Sequence, residues 1–384
     1  MDKLGIGIIG TGSRGVLALA SYWTQSSRAA VVAGADTCED RLGHFRAVAG
    51  QHAFTTTDYR KLLDRQDVDC VAICSPDNCH EEHALAALRA GKHVFCEKPI
   101  AVTIEGCDRI LKAHRTSGKK FVVGFNMRCM SMFRTVKEIV DSGAIGEMKA
   151  VWVRHFVGHG SFYYYHDWHA KRENVTSLLL QKGSHDIDII HWITGCHTKR
   201  VAAFGGLDFF GGDRPNDLRC PECPDQKTCS EYVFDPQYPN VTSCAFRQEV
   251  DVEDNNLVIM ELESGAKAAY LQCHFTPDYQ RNYVFIGTEG RVENSEPDGK
   301  VWVKTRKSGS WKDLADRTYD IKPLTGGHGG ADPIILEDFI DTVLQDRPST
   351  ADVVDGRMAV AVGCAAAESM RTGGLPVDIP PIYW

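Results

Sequence analysis

The sequence predicts an α/β protein, with a doubly wound parallel sheet followed by an α/β domain that has a large open, mainly antiparallel sheet. Up to about residue 124, short apolar segments alternate with helical ones, as crossovers between parallel strands require. Beyond that point, longer segments of alternating polarity are separated by hairpin-like turns, which favours antiparallel strands with one covered face. Because 384 residues exceed one ordinary core, we predict two domains, 1–124 and 125–384.

The first domain is predicted from a regular succession of strands and helices. A helical stretch begins at about Arg14, and a second one, HEEHALAALRAGK, closes on Gly91. In chain order, the predicted strands are LGIGIIG, AAVVAGAD, DCVAICSP, HVFCEKP and KFVVGFN. This alternation indicates the doubly wound sheet.

The second domain is predicted to have longer strands and few helices. Its strand segments are EMKAVWVRHFVG, RVAAFGGLDFF, NLVIMELESGAKAAYLQCHFT and NYVFIGTEGRVEN, with turns at ESGA and TEGR. A helix is expected to begin near Thr176 or Ser177 and to end at Gly195. The late segments DPIILEDFIDTVLQD and GRMAVAVGCAAAESMR are also helical, and packing of these late helices on the first domain is an open alternative.

Composition excludes several classes of function. The formal net charge of -8 gives no general attraction to nucleic acid or to anionic membranes. No apolar run approaches the roughly 18 residues of a membrane-spanning helix, and the first residues lack the pattern of a signal peptide. The chain has 14 cysteines, many of them scattered through apparent core segments, which favours a reducing cytoplasm over a disulfide framework.

A glycine-rich turn after the first strand predicts a dinucleotide site. Gly10, Gly12 and Gly15 follow the G-x-G-x-x-G pattern between a strand and a helix, and Asp36 follows the next strand. The backbone of this turn, including Ser13, favours the pyrophosphate at a helix N-terminus. Asp36 would accept hydrogen bonds from the ribose and repel a 2′-phosphate, so NAD is favoured over NADP; Arg14 could still assist a phosphate.

Two further strand ends belong to the same predicted cofactor site, because ligands gather at the carboxyl ends of parallel strands. The residues concerned are Ser75, Asn78 and His80 after one strand, and Glu97 and Lys98 after another. His80 is most simply a helix-start residue, and cofactor contact is the alternative. Lys98 precedes a proline and is held extended, so that it could stabilise an alkoxide; a solvated lysine is the alternative.

Together these motifs resemble those of the Gfo/Idh/MocA family, which contains glucose-fructose oxidoreductase and inositol dehydrogenases. The matching stretches are GIIGTGSRG, CSPDNCHEEHALAALRAGKHVFCEKPIA, VGFNMR, GAIGEM, GSHDIDIIHWITG and FIGTEGRVE, in the family's order. The resemblance implies an N-terminal Rossmann domain and a C-terminal α/β domain whose open sheet often serves oligomerisation. It also implies a bound nicotinamide, a sugar, polyol or related substrate, and a homo-oligomer.

The resemblance also implies a catalytic set. The family's E-K-P lysine matches Lys98, and its helix histidine matches His185. Gln181 stands where the family usually has an aspartate, so this chain resembles a branch that lacks this carboxylate; Lys182 comes next. We expect hydride transfer to NAD with His185 as general base, Lys98 stabilising the alkoxide and Gln181 hydrogen-bonded to the substrate.

Helical spacing assigns the remaining polar residues of this stretch to faces. Gln181 and His185 share one stripe, which we expect to face the nicotinamide. Lys182 and Asp186 lie on the adjacent face and could form an i,i+4 pair, whereas Asp188 is expected to be structural. His191 could pair with Asp188. Gly183, which is unfavourable inside a helix, indicates close approach by a ligand or another backbone.

A stretch rich in aromatic and basic residues, RHFVGHGSFYYYHDWHAKRE, predicts a substrate pocket, since aromatic faces suit the C–H faces of sugars. About half of its side chains are expected to be ordinary surface or strand positions. The candidates for substrate contact are Arg154, His155, Tyr164, His166 and Trp168, with Arg128 and His328 from elsewhere in the chain.

A separate cysteine cluster could hold structural zinc. Cys220 and Cys223 form a C-x-x-C pair, and Cys229 and Cys244 follow in the same polar, proline-rich segment. Thiols without metal, or a disulfide, are the alternatives.

Three functions therefore remain open from the sequence. The first is an NAD-dependent sugar or polyol dehydrogenase. The second is a glycosidase that oxidises, eliminates and re-reduces its substrate with recycled NAD, which would suit the missing carboxylate at Gln181. The third is a non-enzymatic NAD-binding sensor, against which Lys98 and His185 argue.

Overall fold

The computed structural model describes residues 3–234, 241–307, 309–322 and 324–382. These residues divide into two units. The first comprises the described residues up to Phe133 and those from 324 to Val360, and the second comprises the described residues of Arg134–Lys322 and those from Ala361 onward. The first unit thus takes in a late segment of the chain that a single division near residue 124 does not include.

The first unit is built on a six-stranded parallel sheet with the strand order β3-β2-β1-β4-β5-β6. The strands are β1 Leu4–Ile9, β2 Ala29–Ala35, β3 Phe54–Thr56, β4 Cys70–Ile73, β5 His93–Cys96 and β6 Phe121–Val123. All five predicted strands are present, and β3 is an additional one. This order reverses between β1 and β4, where a doubly wound sheet opens its binding crevice.

The second unit is built on a nine-stranded sheet with the order β14-β13-β12-β11-β7-β10-β9-β8-β15. The strands are β7 Met148–Phe156, β8 Thr198–Gly206, β9 Asn255–Leu262, β10 Lys267–Cys273, β11 Gln280–Gly287, β12 Gly290–Ser295, β13 Lys300–Thr305, β14 Arg317–Asp320 and β15 Val377–Asp378. Only β7 and β10 pair in parallel; every other pairing among the described strands is antiparallel. The predicted fold class is confirmed.

Helices surround these sheets. They are α1 Ser21–Trp23, α2 Glu39–Ala49, α3 Tyr59–Leu63, α4 His80–Arg89, α5 Ile104–Ser117, α6 Ser131–Asp141, α7 Arg172–Val175, α8 Leu178–Gln181, α9 Gly183–Thr194, α10 Gly327–Leu344 and α11 Val353–Arg371. A helical segment, Arg14–Ala20, leads directly into α1. Within the described residues, no helix combines the length and the apolarity needed to span a membrane.

Each unit has its own apolar core. In the first, Trp23, Phe95 and Phe339 meet with ring centroids 5.7–6.2 Å apart, which places the late helix α10 on the parallel sheet. In the second, alternation along β7 buries Val151, Val153 and His155 on the inner face. Residues on the opposite face of that sheet include large apolar side chains that are exposed.

Candidate functional site

The predicted dinucleotide turn lies at the carboxyl end of β1, where its glycines are required by the local packing. Gly10 has a φ of 90°, and a Cβ there would lie 2.5 Å from the backbone of Cys74 and Ser75. A Cβ on Gly15 would lie 2.1 Å from the carbonyl oxygen of Gly10. Side chains at these two positions would therefore force the turn apart.

Gly12 differs from these two glycines, because a Cβ at this position would meet no described atom within 4 Å. Its backbone thus faces open space at the start of a helical segment, which is the environment that a pyrophosphate needs. Asp36, at the end of β2, is fixed by hydrogen bonds from the Thr11 and Cys38 backbone N–H groups, 2.8 and 3.0 Å long. The turn and its acidic residue therefore fit NAD, with Ser13 exposed at the head of the helical segment.

The Arg14 side chain does not extend towards the open side of this turn. Its Nε donates to Glu97 at 2.6 Å, and its Nη1 donates to Asp332 at 2.8 Å. These contacts argue against the predicted phosphate contact. Glu97 is correspondingly bound to Arg14, so this glutamate fixes the turn, which argues against its predicted contact with the cofactor.

The polar residues after β4 have mainly structural contacts. Both ring nitrogens of His80 lie near backbone oxygens, those of Pro99 at 2.6 Å and Ser75 at 2.8 Å. The Ser75 hydroxyl lies 2.9 Å from His83 Nδ1. The buried His80 ring thus joins the β4 end to the E-K-P segment, which favours the helix-start interpretation. Asn78 lies in the helical turn Asp77–Cys79 before α4.

Lys98 lies two residues after the end of β5 and is partly buried. The backbone N–H of Glu97 donates to the Ile73 carbonyl at 3.0 Å, and that of Gly124 donates to Cys96 at 2.8 Å. These bonds place Lys98 at the same sheet edge as the dinucleotide turn, as predicted.

In the second unit, the predicted helix is present as α8 and α9, separated at Lys182. The Ser177 hydroxyl accepts a hydrogen bond from the Leu180 N–H at 3.0 Å and caps the start, while Gly195 in the left-handed conformation ends it. Gln181 and His185 are 6% and 9% exposed. Both side chains are therefore nearly buried. The small exposed part of the His185 side chain is where this residue could accept a proton.

Asp186 is the centre of a buried hydrogen-bond cluster that sequence reasoning missed. Arg281 donates to both of its carboxylate oxygens at 2.9 Å. Tyr270 donates at 2.9 Å, Tyr283 donates as well, and His155 Nδ1 lies 3.0 Å from Oδ2. We call these five residues the Asp186 cluster. The predicted ion pair of Asp186 with Lys182 is thereby replaced by one with Arg281.

The electrostatics of this cluster favour an ionised Asp186 and a neutral His155. Burial acts to raise the pKa of Asp186, but the charge of Arg281, followed by His155, holds it well below its usual range. Burial and then the charge of Arg281 lower the pKa of His155 to about 4, against the opposing effect of Asp186. An ionised carboxylate only accepts, so His155 Nδ1–H is the donor.

A second group of side chains adjoins this cluster. Lys182 Nζ lies 5.9 Å from the centre of the Tyr164 ring, and the His274 ring lies 5.2 Å from that ring. His274 is fully buried, and neither of its ring nitrogens has a hydrogen-bond partner among the described residues. Burial, then His155 and Lys182, hold its pKa well below the usual value. The sequence offered little sign of His274, which stands alone after a strand.

One interpretation of the helix is revised, that of Gly183. A Cβ on Gly183 would lie 3.2 Å from Leu179 and 3.3 Å from the Tyr270 ring, so a side chain, rather than a ligand or another backbone, approaches this glycine. His191 Nε2 lies 2.8 Å from the Thr198 hydroxyl and accepts a hydrogen bond from the Thr198 backbone N–H at 3.1 Å. Asp188 is buried, which fits its predicted structural role.

The predicted substrate residues do not form one group. Arg154 and His155 are consecutive in β7 and extend to opposite faces of the sheet; Arg154 stacks on Phe156 at 5.2 Å. Tyr164 lies beside Lys182, as described, and Trp168 stacks on His169 at 3.7 Å. Tyr164 therefore remains a candidate near the helix, whereas the full burial of His155 beside Asp186 argues against substrate contact.

Two residues predicted to contact substrate belong to the first unit. Arg128 is buried and binds Asp355 at 3.0 Å and the Thr350 carbonyl at 2.6 Å, which argues against substrate contact. His328 is half-exposed, with Nδ1 2.8 Å from Asp332.

The cysteine cluster lines a cavity of about 20 Å³, which includes the ring of His166. This ring is buried, with Nδ1 2.6 Å from the Ser243 carbonyl and 3.8 Å from Cys220 Sγ, so His166 belongs here and not to the substrate pocket. Burial raises the pKa of the Cys220 and Cys244 thiols.

The zinc prediction, with ligands Cys220, Cys223, Cys229 and Cys244, is not supported. No group of three or more His, Cys, Asp or Glu side chains in the described part of the chain is arranged to hold a metal ion. All fourteen cysteines lie in that part, and none is joined in a disulfide.

Comparisons with known proteins agree with these two units. The family model of the oxidoreductase family with an NAD-binding Rossmann fold matches residues 4–125, and that of the family's C-terminal alpha/beta domain matches residues 137–379. The inositol 2-dehydrogenase/D-chiro-inositol 3-dehydrogenase of Shouchella clausii is 27% identical over 381 residues, covering 96% of this chain and 92% of that protein.

Two solved structures share the fold. The oxidoreductase domain protein of Kribbella flavida has a TM-score of 0.81 at 21% identity, and levoglucosan dehydrogenase in complex with NADH and levoglucosan has a TM-score of 0.80 at 20% identity. Each alignment covers 99% of this chain and 100% of the other. Because the two family models together match most of the chain, it belongs to the Gfo/Idh/MocA oxidoreductase family, with an NAD-binding Rossmann fold and the family's C-terminal α/β domain.

Proposed function

We propose that this protein is an NAD-dependent dehydrogenase that oxidises a ring hydroxyl of a sugar, a polyol or a sugar derivative. The observation that carries the proposal is the dinucleotide turn, where the Gly12 backbone faces open space and Asp36 is fixed beside it. Relatives named as inositol and levoglucosan dehydrogenases support a hydroxyl-bearing substrate.

The bound nicotinamide supplies the hydride acceptor. His185 takes the hydroxyl proton of the substrate as general base, a role that suits an imidazole near neutral pH. Lys98 stabilises the negative charge that develops on the substrate oxygen, because an ammonium group next to an alkoxide lowers its energy. Gln181 donates a hydrogen bond to a substrate hydroxyl or accepts one from it. Its neutral amide cannot supply the negative charge of a carboxylate.

The residues around Lys182 provide the binding surface. The Tyr164 ring offers an apolar face to the C–H groups of a sugar ring, and Lys182 beside it offers a hydrogen-bond donor. The Asp186 cluster holds the helix from beneath, so that His185 and Gln181 keep a fixed orientation.

The test is to incubate the purified protein and NAD with a panel of inositols, free sugars, anhydrosugars and aryl glycosides, recording NADH absorbance and leaving-group release. NADH formation with a free polyol or sugar supports the dehydrogenase. Release of the leaving group without net NADH, with solvent deuterium entering beside the anomeric carbon, would instead identify the redox-recycling glycosidase. Binding of NAD with neither reaction across the panel would favour the sensor.

We also propose that the protein is a homo-oligomer that associates through the outer face of the nine-stranded sheet. This face carries exposed apolar side chains on β11, β7, β9 and β8: Ile286, Trp152, Leu257, Ile259 and Phe204. Several large exposed apolar side chains on one face indicate an interaction site, and the family resemblance favours a second copy of this chain as its occupant.

A further inference from the structure

Asp332 joins four segments of the first unit in one hydrogen-bond network. His328 Nδ1 and Arg14 Nη1 each lie 2.8 Å from its Oδ2, and Asn126 donates to its Oδ1 at 3.2 Å. Arg14 also donates to Glu97 at 2.6 Å. The network therefore connects the loop around His328 to the dinucleotide turn and to the E-K-P segment.

The position of this network in the sheet indicates which half of a dinucleotide it would meet. Arg14 follows β1, Glu97 follows β5 and Asn126 follows β6, and these strands lie in the order β1-β4-β5-β6. Asp36, the adenosine-side residue, follows β2 on the other side of β1. In a doubly wound sheet the two halves bind the two nucleosides, so the β4–β6 side receives the nicotinamide nucleoside.

The hydrogen bond with Asp332 determines which nitrogen of the His328 ring faces that carboxylate and which one is left for a ligand. Burial acts to raise the pKa of Asp332, but the hydrogen bonds from His328 and Arg14 outweigh it and hold this pKa well below its usual range. The ionised carboxylate only accepts, so Nδ1 of His328 carries the proton, and in the neutral form of this ring Nε2 is an acceptor. The His328 side chain is 52% exposed and Asp332 only 6%, which leaves the Nε2 edge on the accessible side.

The backbone holds His328 in this place at a conformational cost. His328 has a φ of 51°, a left-handed conformation that is uncommon for residues other than glycine. The neighbouring Gly329 and Gly330 are also left-handed, and a Cβ on Gly327 would lie 2.4 Å from the Asp332 carboxylate. Glycines here let the loop bring the imidazole onto Asp332, and a strained non-glycine residue is typical of functional positions.

We propose that His328 is a cofactor-binding residue whose Nε2 accepts a hydrogen bond from the nicotinamide nucleoside of NAD, with Asp332 as its positioning residue. The donor is either a hydroxyl of that ribose or the carboxamide N–H₂. The inference rests on NAD binding, which is one part of the proposed function, and not on the identity of the substrate.

The test is to titrate the full-length protein and its His328→Gly variant with NAD, ADP-ribose and AMP by calorimetry. Loss of one hydrogen bond to the ligand should weaken NAD about tenfold and leave AMP unchanged. Weaker ADP-ribose binding as well would identify the ribose hydroxyl, and unchanged ADP-ribose binding would identify the carboxamide. An NAD affinity within twofold of the unaltered protein, or an equal loss for AMP, overturns the proposal.

Glycine suits the left-handed backbone at this position and partly offsets the loss of the hydrogen bond to Asp332, so His328→Gly should remain folded at the temperature of the titration, which a thermal melt checks. His44→Gln, a change at an exposed histidine on α2, is the matched control and should leave all three affinities unchanged.

The role of Asp332 is tested through the ratio of the NAD and AMP dissociation constants. Asp332→Asn should raise this ratio, because the amide no longer enforces the Nδ1–H tautomer of His328. In the double variant with His328→Gly the ratio should rise no further than with His328→Gly alone; an additive increase would contradict positioning through His328. Since these titrations need no turnover, NAD binding without oxidation would refute the reaction proposed above and not the role of His328.

Discussion

At the scale of single residues, Asp186 shows why a charge can be retained in the interior of this protein. Its carboxylate is fully buried and accepts hydrogen bonds from Nε and Nη2 of the Arg281 guanidinium and from two tyrosine hydroxyls. Such a charge is tolerated because every lone pair has a donor, and removal of one partner leaves the others buried without compensation.

Asp186→Asn should therefore destabilise the second unit strongly. The substitution leaves the guanidinium of Arg281 buried without its counter-charge, and breaking a buried pair costs about 3–5 kcal/mol of unfolding free energy. Urea unfolding measures the effect. The matched control is Asp320→Asn, which removes an exposed pair with Lys300 and should cause no measurable change. Equal effects of the two substitutions would show that the Asp186 cluster does not stabilise the unit.

His185→Ala tests the proposed general base. We expect turnover with the best substrate of the panel to fall by about 10²–10⁴, the usual contribution of a general base, because no other group of the proposed mechanism takes the hydroxyl proton. The affinity for NAD, measured by titration, should stay within twofold, since His185 lies in the unit that does not carry the dinucleotide turn. Turnover near that of the unaltered protein would remove His185 from the mechanism.

At the scale of elements, the segment α8–α9 is fixed by the sheet beneath it. Gly183 lies where a Cβ would meet the Tyr270 ring at 3.3 Å, and Asp186 holds the hydroxyl of that tyrosine. The ring therefore cannot move away to admit a methyl group. Helix propensity and packing thus act in opposite directions at this glycine.

Gly183→Ala should consequently lower the unfolding free energy, by about 1–3 kcal/mol, as overpacking does in other cores. Gly43→Ala on α2 is the matched control, because a Cβ there meets no described atom within 4 Å. This control should raise the unfolding free energy by about 0.5–1 kcal/mol through helix propensity alone. If Gly183→Ala raised the unfolding free energy, the Tyr270 ring would be able to move and admit the methyl group.

At the scale of the whole molecule, the outer face of the nine-stranded sheet predicts the assembly state. Ile259 is 55% exposed on β9, among the apolar residues of this face. Ile259→Lys should shift the protein towards monomers in sedimentation velocity, because a charge would be buried at the contact. Leu344→Lys, at an exposed position on α10, should leave the assembly unchanged. A monomeric unaltered protein would refute the homo-oligomer.

The buried side chain of His155 predicts that the unfolding free energy depends on pH. His155 has a folded-state pKa of about 4, below its ordinary value of 6.5, so its contribution is complete above pH 6.5 and is lost as the pH falls towards 4. By pH 5 this loss amounts to about 2 kcal/mol of unfolding free energy. Urea unfolding at pH 7.5 and pH 5 measures it, and His155→Gln should reduce the difference by a similar amount. An unchanged difference would contradict the shifted pKa.

The sequence predicted much of the fold because the relevant signals are local. Ser177 and Gly195 marked both ends of the α8–α9 segment, and the apolar segments predicted every strand of the first sheet except β3. Strands β14 and β15, in contrast, are short edge strands of the second sheet with weak patterns, whereas β13 was missed although its segment KVWVKT alternates in burial. The places of the two edge strands are decided by pairing with neighbours and not by their own composition.

For the candidate site, local motifs predict some residues and miss others. Lys98 and His185 follow from motifs within a few residues, and the family resemblance identifies them. The partners of Asp186 cannot be predicted from such local motifs, because Tyr270, Arg281 and Tyr283 are 84, 95 and 97 positions away in the chain. The roles of Arg14 and His328 depend in the same way on Asp332, a residue that the sequence did not single out.

The Asp186 cluster has a consequence for exchanging parts between relatives. A chimera that receives only the helix of another family member would place a new residue against Arg281, Tyr270, Tyr283 and His155, which come from three different strands. The helix and these strand residues therefore depend on one another and have to be exchanged together. Successful transplantation of a foreign catalytic helix should require the residues of all three strands to be transferred with it.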